Sequence, residues 1–176
     1  MSYFIYHNKS IFYREIGSGT PLIFLHGNTA SSKMFESLLP LYQKKCRVIL
    51  IDFLGNGQSD RMENVLALIE HLEYIQVNLV GTSGGAWAAI NAALECPERV
   101  NKVVADSFDG RTLHNGFAED LVTERNAAKE DVRAKQFYEW CQGANWEAVV
   151  DIDTQALLQF VNLKTPLFHK PLSSLQ

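Results

Sequence analysis

The fold is decided by the stretch Val77-Asn78-Leu79-Val80-Gly81-Thr82-Ser83-Gly84-Gly85, an apolar run followed by the pattern G-x-S-x-G. Small residues typical of a helix come next, at Ala86–Ala93. A strand, this pattern and a helix in succession are typical of a tight turn that carries a serine at its tip. Gly81 and Gly85 leave room where the two backbones cross, so we expect a strained Ser83 at a helix N-terminus. Taken alone, the pattern also fits a glycine-rich turn with an incidental serine.

Two further segments each consist of an apolar run followed by a polar loop that contains glycine. The first is Pro21–Asn28, PLIFLHGN, and the second is Val48–Asp60, VILIDFLGNGQSD. With H-G-x, D-x-x-G-x-G-x-S and G-x-S-x-G in this order, the chain resembles the α/β-hydrolase superfamily, in its branch of small capped serine hydrolases. The resemblance extends over most of the chain, and the three motifs as a set are specific.

The other elements predict an α/β fold class. Runs at 3–6 and 10–16 flank a short turn and predict an antiparallel hairpin at the N-terminus. Strands are also expected at 22–26, 47–52, 77–81 and 100–106, and helices at Ser32–Lys44, Val65–Tyr74 and 85–95. The first of these helices has an apolar face made of Met34, Leu38, Leu41 and Tyr42. Since strands and helices alternate and the strands are nearly all apolar, we expect a mostly parallel sheet with helices on both faces.

Residues 111–164 are helical in pattern, richer in charge and without a strand run. Asp153 is predicted to be the N-cap of the last helix. The resemblance implies a helical cap over the active site, and the alternative is a set of ordinary helices that cover the core. We divide the chain into an incomplete core at 1–110, a cap at 111–165 and a connector at 166–176. The predicted apolar anchors of the cap are Phe117, Leu121, Phe137, Trp140, Trp146, Val149, Leu157, Leu158 and Phe160.

The resemblance also implies features that this chain lacks. In the family, two more strands follow the cap and carry the acid and the histidine of a Ser–acid–His triad. We therefore expect the chain to be truncated before the seventh strand. The connection Arg61–Gln76 is also shorter than the family's, so the crossover there is expected to be tight. Strand 100–106, which contains Val103 and Val104, would then be an unprotected apolar sheet edge, and this predicts self-association.

The five histidines offer no clear base for Ser83. His114 follows the serine in the chain, and Asp106 and Asp109 stand at the end of a strand where a minority of the family place the acid. A Ser83, Asp106, His114 set is therefore an alternative, although both aspartates also fit turn formation. Of the remaining histidines, His7 is expected in a solvated turn and His71 on the surface. His26 is expected to shape its loop, and His169 is expected in the connector.

The resemblance implies a hydrolase of a small ester, thioester or related acyl substrate. Ser83 would attack the carbonyl and form an acyl-enzyme, and the backbone N–H groups of Asn28 and Gly84 would form the oxyanion hole. No cofactor or metal is implied. A serine rather than an aspartate at the turn argues against haloalkane dehalogenase or epoxide hydrolase chemistry. The alternative is a non-catalytic protein that binds a small ligand or partner, whereas a nucleotide-binding domain lacks its glycine pattern.

The amino-acid composition limits the class of protein and its expected place in the cell. The chain has 176 residues, 47% hydrophobic and 20% charged, with a net charge of −4, which indicates a soluble globular domain without a nucleic-acid or anionic-membrane surface. No run is long enough for a membrane span, and the N-terminus does not resemble a signal peptide. Cys46, Cys96 and Cys141 are widely spaced and indicate reduced thiols in a cytoplasmic protein.

Overall fold

The computed structural model describes residues 2–53, 58–108 and 110–175. Its strands are β1 (Ser2–Tyr6), β2 (Lys9–Ile16), β3 (Thr20–Leu25), β4 (Cys46–Ile51), β5 (Val77–Thr82) and β6 (Val100–Asp106). Its α-helices are α1 (Leu39–Tyr42), α2 (Gln58–His71), α3 (Gly84–Glu95), α4 (Phe117–Glu130), α5 (Val132–Gln142) and α6 (Trp146–Asn162). Short 3₁₀ helices cover Ser32–Leu38, Gly143–Asn145 and Leu172–Ser174.

The described strands form one mixed sheet in the order β1-β2-β4-β3-β5-β6. The N-terminal hairpin pairs β1 with β2 antiparallel, and β2 joins β4 antiparallel. The pairs β4–β3, β3–β5 and β5–β6 are parallel, as the alternating pattern predicts. The predicted fold class, an α/β fold with a mostly parallel sheet and an N-terminal hairpin, is confirmed.

Alternate residues of the central strands pack into two separate cores. Ile23 and Ile49 face a core that includes Leu68 of α2 and Ala89 of α3. Their neighbours in the strands, Leu22, Phe24, Val48 and Leu50, face the other core together with Phe35. Because successive side chains of a strand point to opposite faces, a strand that is apolar throughout must be covered twice. The predicted helices on both faces are therefore present.

One predicted helix, Ser32–Lys44, is wrong in kind. The chain forms a 3₁₀ helix over Ser32–Leu38 and then one α-helical turn, Leu39–Tyr42. Pro40 has no backbone N–H to donate to the preceding turn, so a continuous α-helix cannot pass through it. The predicted apolar face also changes, since Leu41 is 70% exposed while Met34 and Leu38 pack on the second core. The helix predicted at Val65–Tyr74 lies earlier, at Gln58–His71.

Helices α4, α5 and α6, with the 3₁₀ turn between the last two, form a helical segment over residues 117–162. It has a small core of its own, in which the rings of Tyr138 and Trp146 stack with centroids 5.5 Å apart beside the buried Val150. Two predicted anchors, Phe137 and Trp140, are instead 37% and 44% exposed because they lie on the outer side of α5. In the part of the chain that the structure describes, no strand follows β6.

Helix α3 and the sheet approach each other very closely where α3 leaves β5. A Cβ on Gly81 would lie 2.2 Å from the carbonyl oxygen of Gly85, and a Cβ on Gly85 would lie 2.1 Å from that of Leu25. Neither position has room for a side chain, because the atoms in the way are backbone atoms. The first turn of α3 is thus pressed against the ends of β5 and β3.

Within the described ranges, no helix has both the length and the apolar character needed to cross a membrane. The three cysteines are free, with Cys141 buried and the other two partly exposed. Burial raises the pKa of the Cys141 thiol and, with the carboxylates of Glu98 and Glu95, that of Cys96, so both thiols favour their protonated, unreactive form.

We expect Gly85→Ala to lower the free energy of unfolding by about 3 kcal/mol or more, because the added methyl group overlaps the backbone of β3. The matched control is Gly116→Ala, where the left-handed backbone costs about 1 kcal/mol but the atom nearest to the added Cβ is a flexible carboxylate oxygen of Asp120, 3.9 Å away. Urea unfolding of both variants measures the difference. Equal losses would show that the crossing is not tight.

Candidate active site

Ser83 occupies the single residue between β5 and α3. Its backbone has φ 54° and ψ −121°, a conformation that side-chain-bearing residues rarely adopt. Two backbone hydrogen bonds hold it there, one from the Ser83 N–H to the carbonyl of Asp106 at 2.8 Å and one from the Ala86 N–H to the carbonyl of Ser83 at 2.9 Å. The predicted strained serine at a helix N-terminus is thus present, and Gly84 is the first residue of α3.

The loop after β3 lies against this serine. A Cβ on Gly27 would lie 3.2 Å from the Cβ of Ser83 and 3.8 Å from its Oγ. The neighbouring His26 is 4% exposed, its Nδ1 lies 2.7 Å from the carbonyl of Gly27, and its Nε2 accepts a hydrogen bond from the Phe53 N–H at 3.1 Å. A backbone N–H can only donate, so Nε2 carries no proton and Nδ1–H donates to Gly27. His26 therefore shapes the loop, as predicted, by linking it to the end of β4.

Asn28 and Thr29 continue this loop under the helical segment. Thr29 is buried and has φ 59°, which is unusual for a β-branched residue. Its Oγ1 donates to the carbonyl of Asn28 at 2.5 Å. The side-chain amide of Asn28 donates to Oδ1 of Asp153 at 2.9 Å.

Asp153 is the predicted residue that the structure corrects most. Helix α6 begins at Trp146, so Asp153 lies in its middle and is not its N-cap. Its side chain is fully buried and forms an ion pair with Arg125, with Nη2 and Oδ2 3.1 Å apart. The sequence held a signal for this, because Asp153 follows Val150 by three residues and precedes Leu157 by four, which places it on the buried face of the helix.

Arg125 and Gln142 are further residues that sequence reasoning missed. Nη1 of Arg125 donates to Oγ1 of Thr29 at 2.9 Å and lies 3.3 Å from the hydroxyl of Tyr138. Nε2 of Gln142 donates to the carbonyls of Thr29 and Ala30, at 3.1 and 2.7 Å. No motif marks either residue, because their partners are brought close only when α4, α5 and α6 pack on the loop.

A cavity of about 360 Å³ lies between the sheet and the helical segment. Ser83 and Asn28 line it from the core, and Arg125, Tyr138 and Leu157 line it from the helices. Trp87, on the first turns of α3, also lines it. The site therefore combines a strained hydroxyl, a helix N-terminus and a partly apolar wall in one partly open cavity.

No histidine is among the described residues that line this cavity. His114 is hydrogen-bonded to Asp120 at 3.0 Å, and both His114 and His169 line a larger surface groove of about 1230 Å³ that does not reach Ser83. The Ser83, Asp106, His114 set is thus not brought together, since Asp106 contacts Ser83 through its backbone carbonyl. Asp109 and the glycines of the D-x-x-G-x-G-x-S motif lie outside the described residues. The described residues hold no cluster of histidine, cysteine and carboxylate groups suited to a metal ion.

A serine on a tight strand-to-helix turn above a mostly parallel sheet defines the class of α/β hydrolases. A family model described as alpha/beta hydrolase fold matches residues 20–173. The chain belongs to this family.

Relatives and solved structures agree with this class. The 2-(acetamidomethylene)succinate hydrolase of Mesorhizobium japonicum is 35% identical over 138 residues, which cover 71% of this chain and 49% of that protein. The haloalkane dehalogenase of Agrobacterium fabrum is 34% identical over 120 residues, 62% of this chain and 38% of that protein. A solved E-2-(acetamidomethylene)succinate hydrolase has a TM-score of 0.67 at 25% identity, covering 90% of this chain and 70% of its own. The matched part of this chain spans about half or less of these curated relatives.

We expect Ser83→Gly to raise the free energy of unfolding by about 1 kcal/mol, because glycine adopts the conformation at this position without strain. Ser83→Ala keeps a Cβ and with it the strain, so its stability should match that of the original protein. Thermal or urea unfolding of the two variants, side by side, makes the comparison. If the Ser83→Gly variant is no more stable than the Ser83→Ala variant, the turn stores no strain.

Proposed function

We propose that this chain forms part of a serine hydrolase that acts on a small ester, thioester or related acyl compound. Ser83 is the nucleophile and attacks the carbonyl carbon to form an acyl-enzyme. The observation that carries the proposal is the strained placement of Ser83 between β5 and α3, beside Gly27 and in the wall of the cavity under the helical segment. Strained backbone conformations cluster at functional sites, which favours a chemical role for this serine.

In this proposal, the backbone N–H groups of Asn28 and Gly84 stabilise the oxyanion of the tetrahedral intermediate. Gly84 begins α3, so its N–H lies at the positive end of a helix. Asn28 follows Gly27, which faces the serine so closely that a Cβ added there would lie 3.2 Å from the Cβ of Ser83. Two fixed donors act only as negative charge develops, and losing one typically lowers the rate by about 10²–10³.

We assign residues 111–165 to a cap over the site, with 1–110 as the core and 166–176 as a connector. The support is that the helical segment supplies Leu121, Arg125, Tyr138 and Leu157 to the cavity that holds Ser83. A cavity of about 360 Å³ suits a small acyl substrate. One curated relative and one solved structure are named as hydrolases of 2-(acetamidomethylene)succinate, a small compound that carries an acetyl group. We place the protein in the cytoplasm and assign it no cofactor.

A serine nucleophile needs a base and an acid, and the histidines of this chain do not line the cavity. We propose that sequence beyond the 176 residues supplies both groups to Ser83. The same observation supports a second candidate, a non-catalytic relative that binds a small ligand under the cap. The two differ in turnover, because the second binds and is stabilised by its ligand but hydrolyses nothing.

We expect a fluorophosphonate probe to label the full-length protein that carries this chain, at Ser83 alone. Ser83→Ala should abolish labelling, whereas Ser107→Ala, a change in another serine that lines the same cavity, should leave it intact. Mass spectrometry of the labelled peptide identifies the site. Labelling that survives in Ser83→Ala would overturn the assignment of the nucleophile, and absence of any labelling would favour the non-catalytic candidate.

We also propose that the 176-residue chain, expressed alone, self-associates through β6. In the described sheet this strand pairs only with β5, and Val104 on it is 56% exposed. Val104→Lys should shift the protein toward the monomer in sedimentation velocity, because a charged edge resists pairing. Ile75→Lys, at a more exposed position away from the edge, is the control. A sharp monomer peak before any substitution would contradict the proposal.

A further inference from the structure

We propose that Arg125, Gln142 and Asp153 are positioning residues that hold the loop Gly27–Ala30 in the shape in which the Asn28 N–H serves as an oxyanion donor. The inference rests on the proposed function for the role of Asn28, but the contacts that carry it do not. The helical segment would then complete the catalytic site as well as enclose the substrate.

The first observation is that the loop needs support. Thr29 has φ 59°, and its branched Cβ crowds the backbone in that conformation. Such a conformation persists only where surrounding contacts over-determine it. Within the loop itself, Thr29 Oγ1 donates to the Asn28 carbonyl, and the Ala30 N–H donates to the Gly27 carbonyl over a long 3.3 Å.

The second observation is that all three helices of the segment contact this loop. Arg125 of α4 donates to the Thr29 hydroxyl, Gln142 of α5 donates to the carbonyls of Thr29 and Ala30, and Asp153 of α6 accepts from the Asn28 amide. These bonds hold the strained Thr29 itself, the side chain of Asn28 before it and the carbonyl of Ala30 after it.

The third observation is that the ion pair between Arg125 and Asp153 is buried, which costs desolvation energy. Asp153 is fully buried and the Arg125 side chain is 17% exposed, so both charges have lost most of their water. A buried ion pair rarely adds stability over apolar residues of the same size, but it fixes the relative positions of its partners. Each charged group also bonds to the loop, since Arg125 donates to the Thr29 hydroxyl and Asp153 accepts from the Asn28 amide. The pair therefore ties α4 and α6 together with Asn28 and Thr29 in one geometry.

The consequence is a separation between binding and chemistry. A loop that samples other conformations still leaves the cavity open to substrate, but it presents the Asn28 N–H correctly for only part of the time. Oxyanion contacts act in the transition state and contribute little to ground-state binding. Loss of positioning should therefore lower kcat and leave KM nearly unchanged.

The test uses the paired variant Arg125→Met/Asp153→Leu in the full-length protein that carries this chain, so that no buried charge is left alone. The matched control is Lys129→Met/Asp151→Leu, which removes an exposed ion pair between the same two helices, away from the loop. Gln142→Ala is a milder second variant that creates no charge imbalance. Amide hydrogen exchange and steady-state hydrolysis of a small ester are measured for the unsubstituted protein and the three variants.

In Arg125→Met/Asp153→Leu we expect exchange of the Thr29 and Ala30 amides to rise by about tenfold or more, with β5 amides unchanged. Gln142→Ala should give a smaller rise at the same amides, and the control pair none. A role limited to docking the helices would instead speed exchange throughout α4 and α6 in both paired variants. Unchanged loop exchange, or equal effects in test and control pairs, overturns the proposal.

For hydrolysis, we expect kcat to fall by about tenfold to a hundredfold in the test pair, with KM within about threefold, and no change in the control pair. A rise in KM at constant kcat would show that the pair binds substrate instead of positioning the loop. If the unsubstituted protein neither hydrolyses esters nor reacts with fluorophosphonate, the proposed function fails. Hydrogen exchange still decides the positioning inference in that case.

Discussion

The contact on which the rest of the structure depends is the passage of α3 across the ends of β3 and β5. With glycine at 81 and 85, the helix lies so close that an added methyl group would overlap backbone carbonyls. That closeness leaves one residue, Ser83, to reverse the chain, and forces it into a left-handed conformation. It also brings the loop after β3 against the serine, so one steric constraint assembles the nucleophile and its neighbouring loop.

Around this rigid point, the protein places its polar groups in an unusual way. The cost of burying Arg125 and Asp153 is offset by their mutual attraction and by hydrogen bonds to the loop, and little net stability is expected from the pair. What the pair contributes is a defined geometry between the helical segment and the core. Strain in Thr29 and in Ser83, on two adjacent loops, thus depends on different supports: sheet backbone for the serine, side chains of the helices for the threonine.

The sequence predictions were most successful where the interacting residues are close together in the chain. The hairpin, the parallel strands and α3 were predicted well, because apolar runs and the G-x-S-x-G turn are local signals. The helix at Ser32–Lys44 was wrong because Pro40 interrupts its hydrogen bonding, a local signal that the apolar periodicity masked. Asp153 was wrong for a different reason. Aspartate commonly caps helices, but its partner Arg125 lies 28 residues away in sequence and becomes a neighbour only on folding.

The sequence by itself therefore determined the class of fold, the strained turn and the identity of the residue at its tip, since steric limits on glycine and on apolar strands act over a few residues. Tertiary structure decided which side chains meet above that turn. Packing of α4, α5 and α6 on the loop after β3 selected Arg125, Gln142 and Asp153 as its supports, and it separated His114 from Ser83. Hydrogen bonds between distant segments depend on where whole helices dock, and no short motif encodes that.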